Sequence, residues 1–320
     1  MTARAFAPPW WLANPHLQTI YGAIAVRAPR IALRRERWDT PDGDFVDVDF
    51  MDGPTGAPWV HLYHGLEGSS NSPYARALMA HVKARGWRGT VFHFRGCSGE
   101  PNRLPRAYHS GDSAEIDWSL REVRRRAGDA PVYVAGVSLG GNALAKWLGE
   151  SGDAALEVVQ AAAVVSAPLD LMAAGDALGR GFALNYARHF LQSLKSSTRE
   201  KLERFPGLVD EAAMRRSRTL RDFDNVVTAP LHGFRDTDDY WTRASAKPHL
   251  AAIRVPTLIL NARDDPFLPA EALPGERDVS ASVKLEFPAH GGHVGFVTGP
   301  FPGHIAWLPQ RLLHFFDYLQ

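Results

Sequence analysis

One cysteine, Cys97, occurs in 320 residues, so no intramolecular disulfide framework is possible and the composition suits a reducing compartment. No base stands at an interpretable spacing from it, so it reads as a small loop residue rather than a nucleophile. Charge of one sign is lacking too: 36 Lys+Arg balance 35 Asp+Glu, for a formal net charge of +1. With no basic surplus for a phosphate backbone, nucleic acid is not an expected partner. The basic stretch Arg121-Glu122-Val123-Arg124-Arg125-Arg126 reads as the solvated face of a helix. No apolar run approaches the ~20 residues of a membrane-crossing helix, the best being short stretches such as 161–165. The opening segment places Pro8-Pro9-Trp10-Trp11 where an export signal needs an unbroken apolar core. These absences lead us to expect a cytoplasmic protein without stable membrane insertion. No internal repeat and no low-complexity tract is visible.

What the chain does have is 45% hydrophobic residues with 22% charged, enough for one large core. Residues 45–50 alternate Val46, Val48 and Phe50 with Asp47 and Asp49, the pattern of a half-exposed strand near a sheet edge. Further in, strand-like runs become continuously apolar: 59–63, 90–94, 132–135, 161–166, 256–260 and 283–287. Strands buried on both faces of a parallel sheet look like this. Helical patterns fall between most of them, at 74–84, 112–126, 142–148 and finally 305–319. The alternation predicts a doubly wound, mostly parallel α/β sheet with right-handed crossovers. It fails once, between Pro168 and Pro248, where helical patterns and charge replace core strands. The expected organisation is therefore a core over 1–168, with an N-terminal segment over 1–30, a helical cap insertion over 169–248, and the rest of the core over 249–320. In open α/β folds ligands lie at the sheet's carboxyl edge, and the cap is expected to cover it.

Directly after the apolar run 132–135 comes Gly136-Val137-Ser138-Leu139-Gly140, followed by a helical pattern. This is G-x-S-x-G in the strand-turn-helix setting of a nucleophile elbow, where the serine adopts a strained backbone and a side chain two residues to either side would collide. The bland alternative is a glycine-rich turn whose serine caps the next helix. A serine hydroxyl is a poor nucleophile at neutral pH and needs a histidine to take its proton and a carboxylate to orient that histidine. In this fold the order is serine, acid, histidine. Asp264-Asp265-Pro266 follows the run 256–260, and His290-Gly291-Gly292-His293 follows 283–287. Asp265 is preferred over Asp264 for its Asp-Pro step, with Asp264 as a turn or capping residue. His293 is preferred over His290 because its flanking glycines let the loop approach the elbow. Ser138, Asp265 and His293 then stand 127 and 28 residues apart. The H-x-x-H spacing of His290 and His293 lacks a third ligand cluster, and no metal is expected.

Acyl transfer also needs donors for a developing oxyanion. His64-Gly65-Leu66-Glu67-Gly68 follows the strand pattern 59–63, so the backbone N–H groups of Leu66 and Leu139 are the candidate donors. Arg95-Gly96-Cys97-Ser98-Gly99 is a further tight loop expected to hold these segments in register.

Together the opening Pro8-Pro9-Trp10-Trp11 through Pro15-His16-Leu17-Gln18-Thr19-Ile20-Tyr21, the loops His64 to Gly68 and Phe94 to Gly99, the elbow, and Asp264-Asp265-Pro266 with Gly291-Gly292-His293 resemble the YheT-like α/β-hydrolases across nearly the whole chain. The resemblance implies the α/β-hydrolase fold, a serine esterase activity without a cofactor, and a triad falling on Ser138, Asp265 and His293. Some relatives act on medium-chain or phospholipid esters, and some transfer acyl groups to alcohols. The leading expectation is hydrolysis of small-molecule carboxylic esters, short to medium in chain length, through an acyl-serine. The alternative is acyl transfer from a thioester to an alcohol, and a non-catalytic binding module on the same scaffold is disfavoured. Leu184, Tyr186, Phe190, Phe234, Tyr240 and Trp241 are candidates for an acyl pocket, although aromatic residues at helical spacing are more often cap core. The Trp10-Trp11 segment is expected to pack against the body rather than rest on a membrane.

Overall fold

A computed structural model describes residues 5–317; the ends of the opening segment and of the final predicted helix, residues 1–4 and 318–320, lie outside them. An opening helix α1 (Pro15–Ile24) precedes the strands β1 (Arg34–Asp39), β2 (Phe45–Met51) and β3 (Trp59–Tyr63). Then helices and strands alternate: α2 (Pro73–Ala84), β4 (Arg88–Phe92), α3 (Ser113–Ala127), β5 (Val132–Val137), α4 (Leu139–Ser151) and β6 (Ala161–Val165). Six helices follow without a strand: α5 (Leu171–Leu178), α6 (Leu184–Arg204), α7 (Glu211–Arg216), α8 (Leu220–Phe223), α9 (Ala229–Leu231) and α10 (Thr237–Ala244). The sheet resumes with β7 (Thr257–Leu260) and β8 (Val283–Glu286), and α11 (Trp307–Asp317) closes the described chain.

The eight strands form one sheet in the order β1-β2-β4-β3-β5-β6-β7-β8. β1 and β2 run antiparallel to their neighbours, and β3 to β8 are mutually parallel. Successive residues of a strand face opposite sides, so each interior strand feeds two cores. Trp59 and Tyr63 of β3 pack with Ile116 of α3 and Leu144 of α4. Val60 and Leu62 pack on the other side with Leu78 of α2 and Leu312 of α11. Two apolar faces per strand explain the continuous hydrophobic runs, and helices on both faces make the sheet doubly wound. The chain leaves β3 toward β4 on one side and returns to place β5 on the other. The crevice between the carboxyl ends of β3 and β5 is thus a topological switch point, the place where such sheets bind ligands.

Two strand expectations are corrected. β2 is not half-exposed: all seven of its residues are buried. Asp47 and Asp49 are tolerated there because β1 lays arginines across them, Arg37 on Asp47 at 2.8 Å and Arg35 on Asp49 at 2.7 Å, each through two nitrogens. The true edge is β1, whose Arg34-Arg35-Glu36-Arg37 sequence has no strand pattern. β8, read as buried on both faces, is the opposite edge and is only partly covered.

Candidate active site

β5 ends at Val137 and α4 begins at Leu139, leaving Ser138 as the whole turn, with φ 53° and ψ −121°. The glycines around it are sterically required. A Cβ at Gly136 would lie 2.5 Å from the Gly140 carbonyl oxygen, and one at Gly140 would lie 2.5 Å from that of His64. Strand, helix and the loop after β3 therefore converge on the serine, whose strained backbone is held by packing on three sides.

His293 lies on the loop after β8 with Nε2 3.0 Å from Ser138 Oγ. Its Nδ1 lies 2.9 Å from Oδ2 and 3.2 Å from Oδ1 of Asp265, which stands on the loop after β7. The Asp265 carboxylate is enclosed, and its Oδ1 also accepts the Phe267 N–H at 2.8 Å. The Phe267 ring lies flat on the His293 imidazole, centroids 3.9 Å apart at 14°. Asp264 turns elsewhere, accepting from Gly292 N–H at 3.0 Å and lying 3.1 Å from Nδ1 of His290, which is solvent-exposed. The two neighbouring acids thus divide the loop between them: Asp265 meets the imidazole at the serine, and Asp264 pins the backbone just before it.

Leu66 and Leu139 border the same space as Ser138 and His293. Among the described residues neither backbone N–H donates to a protein acceptor, and Leu139 is the first residue of α4, at the positive end of its dipole. The loop carrying Leu66 is fixed on three sides. Gly65 N–H donates to Tyr74 Oη at 2.9 Å, Glu67 N–H to Tyr108 Oη at 3.0 Å, and the His64 ring lies 2.7 Å from the Gly65 carbonyl. Burial pushes the His64 imidazole down to about 3, so it is neutral.

Phe94, just before the Arg95–Gly99 loop expected to hold these segments, braces this loop through a hydrogen bond from its N–H to His64 Nε2 at 3.2 Å. Arg95 beside it is buried among three carboxylates, Glu115 at 2.6 Å, Asp44 at 2.9 Å and Asp42 at 3.0 Å. Cys97, half-buried, borders the cavity, and desolvation pushes its thiol pKa up, which favours the protonated form.

A cavity of about 180 Å³ opens above Ser138 between the sheet and the inserted helices. Of the six proposed pocket residues, Phe190, Tyr240 and Trp241 line it. Tyr240 and Trp241 are at the same time core of the inserted helices, against Leu171 and Ala244. Tyr186 instead lies with its hydroxyl 3.0 Å from His16 Nδ1, Phe234 packs on Tyr240, and Leu184 is not part of the lining. Asn142 of α4 ties the end of α10 to the loop before α3, donating to the carbonyls of Ser110 and Ala244 and accepting from Ala246 N–H.

Several supporting groups escaped the sequence reading. Tyr74 and Tyr108 gave no signal at all. Thr19, whose Oγ1 accepts His293 N–H at 2.9 Å, and Gln18, whose amide bonds both N–H and C=O of Val297, sit inside the opening motif that carried the family resemblance. The motif was visible, and its task of holding the histidine loop was not.

A serine on a strained strand-to-helix turn, facing an imidazole and a buried carboxylate at the switch point of a doubly wound sheet, defines an α/β-hydrolase. Sequence comparison agrees: the alpha/beta hydrolase fold family matches residues 58–300. An Escherichia coli (strain K12) protein named "Putative esterase YheT" is 41% identical over 312 residues, covering 96% of this chain and 91% of that one. The mouse protein "Phospholipase ABHD3" is 29% identical over 325 residues, covering 98% and 79%. Among solved structures, mouse alpha/beta hydrolase domain-containing protein 10 matches with a TM-score of 0.53 at 15% identity, covering 91% of this chain and all of that one. The Pyrococcus furiosus esterase Pf2001 matches with a TM-score of 0.57 at 14% identity, covering 92% and 97%; both are likenesses of fold. This chain belongs to the YheT-like branch of the α/β-hydrolase family and is a hydrolase.

Proposed function

We propose that the protein hydrolyses carboxylic esters of short to medium acyl chain length through an acyl-serine intermediate. The observation that carries this reading is the unbroken line from Ser138 Oγ to His293 Nε2 at 3.0 Å and from His293 Nδ1 to Asp265 Oδ2 at 2.9 Å. Ser138 Oγ attacks the ester carbonyl carbon while His293 Nε2 takes its proton, and Asp265 holds the imidazole in the tautomer that leaves Nε2 free. The carbonyl oxygen becomes an oxyanion that accepts from the N–H groups of Leu66 and Leu139. Collapse breaks the bond to the alcohol oxygen, which leaves with the proton from His293. A water then attacks the acyl-serine with His293 again as base, releasing the acid and restoring Ser138.

The reading divides the chain into core segments 1–168 and 249–320 with a cap over 169–248, the cap supplying the acyl side of the cavity through residues such as Phe190. Support for ester substrates also comes from relatives whose names give an esterase and a phospholipase. Turnover of p-nitrophenyl esters from acetate to palmitate, measured for wild type beside Ser138→Ala, tests it. The expected result is a peak at one chain length, lost in the variant. Activity retained by Ser138→Ala overturns it, and ester product formed with a competing alcohol in place of free acid reassigns the enzyme to acyl transfer.

A further inference from the structure

Helix α1 is built inside out. Its buried residues are Gln18, Thr19 and Gly22, polar or small because they serve the backbone of the histidine loop. Gln18 bonds Val297, Thr19 accepts His293 N–H, and a Cβ on Gly22 would lie 3.1 Å from Gly295 Cα. Its outward stripe is apolar: Leu17 and Ile24, seven residues apart and so on one face, are 52% and 80% exposed. No residue of the helix carries a fixed charge, although a helix facing water normally presents charge outward.

The exposure continues on both sides. Trp11 packs inward against Tyr21 and Phe301, as expected for this segment, but Trp10 is 91% exposed, which corrects the expectation for that residue. Phe301 tips a short hairpin, closed by Thr298 and His304, and is 75% exposed. Phe182, on a cap turn in ring contact with His16, is 51% exposed. Five of the six exposed large hydrophobic side chains among the described residues thus belong to elements in contact with one another, Leu156 being the sixth. Apolar exposure gathered on adjoining elements marks a candidate interaction site.

Charge says what covers it. Residues 5–35 contain no Asp or Glu, and neither does the stretch between Glu286 and Asp317. Arg27 and Arg30 follow α1, are exposed, and have no ion-pair partner among the described residues. A two-fold contact between copies would set these arginines near their own counterparts with no carboxylate on the surface to pair them. An anionic lipid surface meets both requirements: indole, phenyl and isoleucine side chains seat at the headgroup and acyl boundary while arginines reach phosphates.

We propose that Trp10, α1 and the Phe301 hairpin form a peripheral docking surface for anionic lipid bilayers. Because α1 also holds the His293 loop, docking sets the candidate catalytic side of the molecule beside the bilayer. The surface does not depend on the chemistry proposed for Ser138.

The test is co-sedimentation with phosphatidylcholine vesicles and with vesicles containing phosphatidylglycerol. Wild type is compared with the triple variant Trp10→Ser, Ile24→Ser, Phe301→Ser, with Arg27→Gln/Arg30→Gln, and with Ser138→Ala. We expect wild type and Ser138→Ala to bind the anionic vesicles alike and the neutral ones weakly. The arginine double variant should lose on the order of thirtyfold in affinity. The triple variant should not sediment, while keeping its melting temperature and its turnover of a water-soluble ester. Equal sedimentation of wild type and triple variant overturns the proposal, as does equal binding to both vesicle types. A self-association abolished by the triple variant, without vesicle binding by wild type, overturns it in favour of a second copy. Loss of esterase activity in every protein, with vesicle binding intact, would count against the reading of Ser138 and not against this surface.

Discussion

The backbone N–H of Phe94 donates to His64 Nε2 at 3.2 Å, which fixes the proton of that ring on Nδ1, where the acceptor is the Gly65 carbonyl at 2.7 Å. A neutral imidazole with both nitrogens engaged is a strut between the β4 exit and the loop bearing Leu66, and we expect it to carry no proton in the reaction. His64→Ala should lower kcat by about two orders of magnitude, the typical cost of a lost oxyanion donor. The pH dependence of the remaining activity should keep the wild-type shape, since the imidazole that faces Ser138 is that of His293 and not that of His64. A shifted pH–rate profile would assign His64 a proton-transfer role instead.

The neighbouring acids separate cleanly in the geometry and should separate in kinetics. Asp265 lies against the imidazole that faces Ser138, whereas Asp264 accepts from Gly292 N–H and meets the exposed His290. Asp265→Asn keeps the shape but favours the wrong histidine tautomer, so kcat should fall about 10⁴-fold. Asp264→Asn keeps an acceptor for Gly292 and should cost less than about tenfold. Steady-state kinetics on one p-nitrophenyl ester compares the two, and a reversed order would move the acid role to Asp264.

Legibility followed the reach of each physical signal. The interior strands could be read because burial on both faces leaves a local mark, a continuous apolar run such as 161–165. The Asp47 and Asp49 positions of β2 misled because the arginines that neutralise them lie on another strand, and that strand, β1, is itself too charged to announce itself. Ser138, Asp265 and His293 were visible as candidates because each stands on a loop just past a parallel strand, in glycine- or proline-marked sequence. The groups that fix them were not. Tyr74, Tyr108 and the stacking of Phe267 act through contacts set only by the assembled fold, and a tyrosine in a helix or loop has no sequence mark for such a task.

Four imidazoles, His61 and His64 buried and His109 and His232 partly buried, make the fold acid-sensitive. Burial lowers His61, His64 and His232 to about 3 and His109 to about 4. Each therefore stays neutral in the fold while its unfolded counterpart takes up a proton near pH 6.5, so stability is lost as pH falls below that value. Two carboxyls act in the opposite sense: burial raises Glu115 to about 7 and Asp224 to about 6, so the fold binds their protons first and gains as pH falls. Four against two leaves the unfolded state binding more protons near pH 5, so stability falls as pH falls through this range. Calorimetry at pH 7, 6 and 5 should give a falling Tm, and a Tm level or rising across that range would show that the neutral histidines do not outweigh the two raised carboxyls.

Gly65 offers a test of the candidate oxyanion loop that replaces none of Ser138, His293 and Asp265. A Cβ there would stand 3.1 Å from Ser138 Cβ and 3.6 Å from its Oγ, close enough to force a shift of a few tenths of an ångström but not to prevent packing. Its backbone is outside the left-handed region, so alanine introduces no φ strain and even reduces the freedom of the unfolded chain. The stability of Gly65→Ala should therefore stay within about 1 kcal/mol of wild type. Its effect should fall on chemistry, because the displaced loop carries the Leu66 N–H and donor placement at an oxyanion is sensitive on that scale. We expect kcat to fall about a hundredfold with little change in KM, as when an interaction made only in the transition state is weakened. Unchanged kcat in a folded Gly65→Ala protein would remove Leu66 from the oxyanion site and leave Leu139, at the start of α4, as the only assigned donor.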